Sequence, residues 1–188
     1  MKILKQFLLT LTLLCISLHA RAESADLART RSAAKKGDPV AQFFLGLRYY
    51  EGFGGVSKDY SEAAKWWLKS AEQSFPDAEQ GIADLYYKGI GVEQDYGLAL
   101  KWAKRSALHG NSVSCLSIST IYMKGQGTPQ DLILAYAWLS IHTPSDDSKR
   151  ELQRKYLSVL ELKLSQGQLL KAKSIADELR AEIRSNSK

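Results

Sequence analysis

The chain matches itself when shifted by 36 or 37 residues, and nothing else in it constrains the fold as much. Ala41, Ala78 and Ser114 fall into register. So do Leu45, Ile82 and Ile118, then Gly46, Ala83 and Ser119, then Tyr49, Tyr86 and Tyr122. Glycines follow: Gly52 with Gly54 or Gly55, Gly89 with Gly91, Gly125 with Gly127. Asp59, Asp95 and Asp131 come next, then Ala63, Ala99 and Ala135, then Trp66, Trp102 and Trp138. One extra residue in the first glycine loop accounts for the longer spacing. A unit this short cannot bury its apolar face alone, so stacked copies must share one core, as in a solenoid.

Each unit reads as two helices. Ala41, Leu45 and Tyr49 step by four and form one apolar stripe. The small residue at Gly46, Ala83 and Ser119 lets a neighbouring helix approach closely. The glycine loop ends the first helix, because glycine adopts positive φ without the strain of an L-residue. The aspartate then caps the second helix, and Asp59 has Glu62 three residues on, as in a capping box. Ala63, Trp66 or Trp67, and Ser70 or Ala71 share one face of that helix.

The repeated pattern A-x-x-x-L-G-x-x-Y-x-x-G-x-G-V-x-x-D-x-x-x-A-x-x-W-x-x-x-A resembles that of Sel1-like repeats, relatives of tetratricopeptide repeats. It is carried by Ala41, Leu45, Gly46, Tyr49 and Gly52 in the first copy, and by Gly89-Ile90-Gly91-Val92, Asp95, Ala99 and Trp102 in the second. The third copy departs most, with Ser114 and Ser119 for Ala and Gly and Thr128-Pro129 for Val. The resemblance implies an all-α, right-handed superhelical solenoid of helical hairpins with N- and C-terminal capping helices. The expected organisation is a signal peptide at 1–22, a capping helix at 23–36, and three repeats over 37–143 (about 37–72, 73–109 and 110–143). A capping helix pair at 144–188 completes it, with Leu152, Tyr156, Val159 or Leu160, and Leu164 as one stripe and Leu169, Ala172, Ala176, Leu179 and Ile183 as the other.

The start of the chain carries an export signal. Lys2 and Lys5 precede an apolar run from Phe7 to Leu18, and Ala20-Arg21-Ala22 supplies a cleavage site. Twelve helical residues span about 18 Å, short of the ~30 Å hydrocarbon core, so cleavage is expected rather than anchoring. Removal of Lys2, Lys5 and Arg21 lowers the formal charge from +6 to +3. That charge, without a basic run, argues against nucleic acid as a partner. No membrane insertion is expected after cleavage. The mature chain keeps one cysteine, Cys115, so no internal disulfide can form. Its alignment with Gln42 and Glu79 suggests partial exposure.

Catalytic and cofactor signatures are missing. The glycines follow a helix and repeat with its period, unlike a dinucleotide fingerprint. His109 and His142 lie apart, which argues against a zinc cage. No enzyme activity, metal or cofactor is expected, and an exported binding scaffold is the favoured function. The alternative is a small periplasmic hydrolase acting on cell-wall or antibiotic substrates. Cysteine-rich Sel1-like proteins proposed as hydrolases carry paired cysteines in every repeat, and this chain does not.

By the resemblance, the flank of each first helix beyond its conserved tyrosine lines a concave groove. That assigns Phe43, Leu47 and Tyr50 in repeat one, Gln80, Asp84, Tyr87 and Lys88 in repeat two, and Leu116, Thr120, Met123 and Lys124 in repeat three. Aromatic and apolar side chains with a few charges suit a peptide segment of another protein. The implied role is a scaffold or adaptor in the bacterial envelope, in the periplasm or secreted.

Overall fold

The computed structural model describes residues 25–186, and the expected signal peptide lies outside the described residues. Among the described residues all regular structure is helical. Helix α1 covers 25–35. Three hairpins follow: α2 (Pro39–Glu51) with α3 (Tyr60–Glu72), α4 (Pro76–Lys88) with α5 (Tyr96–Leu108), and α6 (Ser112–Lys124) with α7 (Leu132–Ile141). Then come α8 (Asp147–Lys163) and α9 (Gln166–Asn186). From α2 to α7 each helix packs mainly on its chain neighbours, so the hairpins stack in sequence order as an all-helical solenoid.

The loops explain the glycine spacing. Gly52, Gly89 and Gly125 end α2, α4 and α6 in the left-handed region, at φ 75°, 67° and 67°. The second glycine has another task. Gly91 and Gly127 lie against the first turn of the preceding repeat's second helix. A Cβ on Gly91 would meet the Tyr60 carbonyl at 2.4 Å, and one on Gly127 would meet Tyr96 at 2.7 Å. Ser61 Oγ also donates to the Gly91 carbonyl at 3.2 Å. After each loop the aspartate caps as expected: Asp59 Oδ1 accepts from Glu62 N, Asp95 Oδ1 from Leu98 N, and Asp131 Oδ1 from Leu134 N. The reciprocal half of the capping box at Asp59 is absent, because the Glu62 carboxylate accepts from Lys65 Nζ instead.

The first tyrosine of each pair lies on the inner stripe, with Tyr122 buried and Tyr49 and Tyr86 half-buried. Trp102 and Trp138 are buried, whereas the aligned Trp66 is half-buried under Lys69. In repeat one the deep indole belongs to Trp67, whose Nε1 donates to the Phe43 carbonyl at 3.0 Å.

A polar contact recurs at the base of the hairpins. Gln73 Nε2 donates to the buried Gln42 Oε1 at 2.7 Å. One repeat on, the same two positions hold Glu79 and His109. His109 Nδ1 lies 2.7 Å from Glu79 Oε2, and Arg105 Nε lies 3.1 Å from Oε1. Burial pushes the Glu79 carboxyl above its usual value, against the pull of His109 and Arg105. In repeat three the position is Cys115, which is buried rather than partly exposed. Exposure was inferred from its polar counterparts, but Gln42 and Glu79 are themselves buried with partners. Burial pushes the Cys115 thiol up to about 12.

The C-terminal helices depart from a packed pair. α9 lies along α7 and touches α5, burying Ala172 and Ala176 with Leu169, Leu179 and Ile183 partly covered, which is the expected stripe. α8 makes almost no contact with α9 beyond their connection. It buries only Leu160, while Leu152, Tyr156 and Val159 are exposed. Gln153 Nε2 ties it to the end of α7 through the carbonyls of Leu139 and His142.

Urea unfolding tests both the loop contact and the buried pair. Gly37 has φ 98° and open space around its Cβ position, so Gly37→Ala should cost only the backbone strain of about 1–2 kcal/mol. Gly91→Ala adds a clash with backbone and should cost about 2–5 kcal/mol; equal losses would mean that the loop contact is dispensable. His109→Ala strips a bond from a buried carboxylate and should cost about 1–3 kcal/mol. Replacing the pair with the repeat-one residues, Glu79→Gln with His109→Gln, should return stability to within about 1 kcal/mol of wild type. A double variant weaker than the single one would show that the two contacts are not equivalent.

Candidate functional site

The predicted groove residues divide into two groups. Phe43 and Tyr50 are part of the packing around Trp67, not of an open surface. Phe43 stacks on Trp67 with ring centroids 6.2 Å apart and also meets Phe75 at 5.3 Å. Tyr50 lies 5.2 Å from both Trp67 and Tyr60. Both rings are half-buried. The outward position on this helix is instead Phe44, which is 50 % exposed and was not foreseen. The expected face was thus rotated by one residue, because the large indole of Trp67 draws the 43 and 50 side chains inward. Leu47 is likewise half-buried, and it lines a hollow of about 620 Å³ with Val40, Phe44 and Phe53 beside α1.

The second tyrosine now has a structural account. Tyr87 meets Tyr96 edge-on at 5.3 Å, as Tyr50 meets Tyr60. In repeat three the same two positions hold Met123 and Leu132, both partly covered by the core. The aromatic pair within the hairpin is therefore exchanged as a pair for two aliphatic side chains. Tyr87 also bridges to repeat three: its hydroxyl donates to Gln126 Oε1 at 2.8 Å and accepts from Lys124 Nζ at 2.9 Å.

The remaining residues come together. Asp84, Tyr87, Lys88, Leu116 and Thr120 line a cavity of about 250 Å³ between α4 and α6, floored by Ala99 and Ala103 of α5. Leu116 and Thr120 also line a second cavity of about 460 Å³, together with Met123, Lys124 and the α8 residues Leu152 and Tyr156. The shared residues make one groove that runs from α4 across α6 to α8. Its apolar content is open: Leu116 is 40 % exposed, Leu152 54 % and Tyr156 48 %. Helix α8 thus extends the groove rather than filling it. Leu152 and Tyr156 were foreseen only as a cap stripe, since their spacing is the same for an inward and an outward face.

Gln80 supports this groove from beneath. It is buried, and its Nε2 donates to Asp84 Oδ1 at 2.8 Å and to Ser117 Oγ at 3.1 Å. Its Oε1 is buried without a hydrogen-bond partner. Burial raises the Asp84 carboxyl above its usual value, partly offset by the Lys88 charge and the Gln80 amide. Lys88 and Lys124 stand exposed at the rim.

The pair of Glu79 and His109 is the arrangement closest to catalytic machinery. It sits inside the hairpin, no hydroxyl or thiol bonds to the other His109 nitrogen, and repeat one keeps two glutamines there. Among the described residues no group of three or more His, Cys, Asp or Glu side chains could hold a metal ion. No helix among them is long and apolar enough to cross a membrane.

Comparison with known proteins agrees with this architecture. The family model described as Sel1 repeat matches residues 39–75, 76–111 and 112–141. A solved structure of a Sel1 repeat protein from Oxalobacter formigenes superimposes with a TM-score of 0.61 at 33 % identity, covering 71 % of this chain and 97 % of that one. The structure of c5321, a protective antigen of uropathogenic Escherichia coli strains displaying an SLR fold, gives a TM-score of 0.55 at 22 % identity over 86 % of this chain and 42 % of that one. Among curated proteins, the ERAD-associated E3 ubiquitin-protein ligase component HRD3A of Arabidopsis thaliana is 32 % identical over 69 residues, which are 37 % of this chain. The match spans a tenth of the plant protein's length. Three matched repeats cover more than half of the sequence, one per hairpin, and the chain belongs to the Sel1 repeat family.

Proposed function

We propose that this protein is an exported scaffold that binds a segment of another protein along the faces of α4, α6 and α8. Sel1 repeat proteins generally mediate protein–protein interaction. The observation that supports this site is the continuity of the groove, in which Leu116 and Thr120 join two cavities walled by exposed apolar side chains. Apolar surface of this kind, rimmed by charges, marks contact sites on soluble proteins. Leu116, Leu152 and Tyr156 supply the buried area on binding, and Lys88 and Lys124 supply orientation. Nothing observed favours the hydrolase alternative.

Export is part of the same proposal and rests on the N-terminal sequence alone. N-terminal sequencing of protein recovered from the cell envelope should give Glu23 as the first residue; a start at Met1 would refute cleavage. For the groove, Leu116→Glu combined with Leu152→Glu changes two exposed positions and should leave the helical content and unfolding midpoint near wild type. Partners captured from the envelope by wild type and identified by mass spectrometry should bind this variant about 100-fold or more weakly. Equal affinity of a folded variant would move the binding surface elsewhere.

A further inference from the structure

The cavity between α4 and α6 lies where three positions change together between repeats one and two. One repeat earlier, the corresponding space is filled from within by Trp67, whose ring lies against Gly46 and Gly81. A Cβ on Gly46 would meet that indole at 2.4 Å, and one on Gly81 at 2.9 Å. The equivalents of Trp67, Gly46 and Gly81 are Ala103, Ala83 and Ser117, and all three line the cavity. A methyl group thus stands where repeat one places a planar ring and repeat three the side chain of Leu139.

Asp84 is the one carboxylate that lines this slot, which Lys88, Ser117 and Thr120 also line. Asp84 accepts from Gln80 Nε2, and no cation lies within ion-pairing distance of it among the described residues. Gln80 is 7 % exposed, and its Nε2 is engaged with Asp84 and Ser117, leaving Oε1 an orphaned buried acceptor. A half-buried carboxylate without an ion pair, beside an apolar slot, suits an occupant that brings directed donors on an apolar stem.

We propose that the slot receives an arginine side chain of the bound segment, with its methylenes beside Leu116 and its guanidinium on Asp84. The guanidinium is planar, like the indole that fills the equivalent space, and carries five donors in a fork that fits a carboxylate. Lysine offers a point charge with fewer directed donors and is the poorer fit. Lys88 and Lys124 at the rim repel a second basic residue, so the arginine is flanked by acidic or neutral neighbours. This inference rests on the groove reading above and names the chemistry of its occupant.

The test uses defined probes on the mature protein. Nα-acetyl-arginine amide is titrated against amide NMR signals of Ala83, Leu116 and Thr120, with the citrulline analogue as an uncharged isostere. Saturable shifts are expected for arginine, with citrulline about 10- to 100-fold weaker. Asp84→Asn should abolish the difference between the two. Ala103→Leu, which installs the residue found at the equivalent Leu139, should block both. Absence of saturable shifts, equal binding of citrulline, or arginine binding unchanged in either variant would overturn the assignment. If arginine fails to seat while the Leu116 and Leu152 variant still loses its partner, the groove stands and the slot falls. If arginine seats while that variant keeps its partner, the slot stands as an arginine site and the groove reading falls.

Discussion

The stack depends on one close approach, that of a glycine loop to the first turn of the preceding second helix. Gly91 meets Tyr60 and Gly127 meets Tyr96 at distances that exclude any side chain. Both glycines also have positive φ, so two independent constraints fall on one atom-poor residue. This contact fixes how each hairpin is set against the one before it. The aspartate cap four residues later and the tyrosine ahead of the loop are placed by the same geometry, because the Asp95 N–H donates to the Tyr86 carbonyl and the Asp131 N–H to the Tyr122 carbonyl.

Within that frame, side chains are exchanged between copies in matched sets. Tyr50 with Tyr60 becomes Met123 with Leu132. Gln42 with Gln73 becomes Glu79 with His109. Trp67 with two glycines becomes Ala103 with Ala83 and Ser117. In the second set the contact survives with different chemistry. In the third the space is left open, and the groove deepens there.

The repeat was legible in the sequence because its signals are local: glycines with positive φ, aspartate caps and an apolar step of four. The groove was half legible. The helical phase places Asp84, Tyr87, Lys88, Leu116 and Thr120 on one flank, and they line one cavity. Phe43 and Tyr50 were misassigned because Trp66 aligns with Trp102, which hid the role of its neighbour Trp67. Cys115 was placed too near the surface because polar counterparts suggest exposure, although Gln42 and Glu79 are buried with their own partners. The direction of α8 could not be read from spacing, because Leu152, Tyr156 and Val159 step identically whether they face a core or a groove.

The contrast between Trp67 and Ala103 bears on how a solenoid acquires new binding properties. In a globular core, deleting an indole leaves a void that the whole domain must tolerate. Here the repeats contact chiefly the repeats next to them, so the copy that carries the void draws on the cohesion of intact copies at either side. A vacancy can therefore arise by substitution in one repeat while its siblings preserve the fold, and drift in the surrounding side chains then decides what fits it. Duplication supplies spare walls, and recognition develops where one of them is left unfinished.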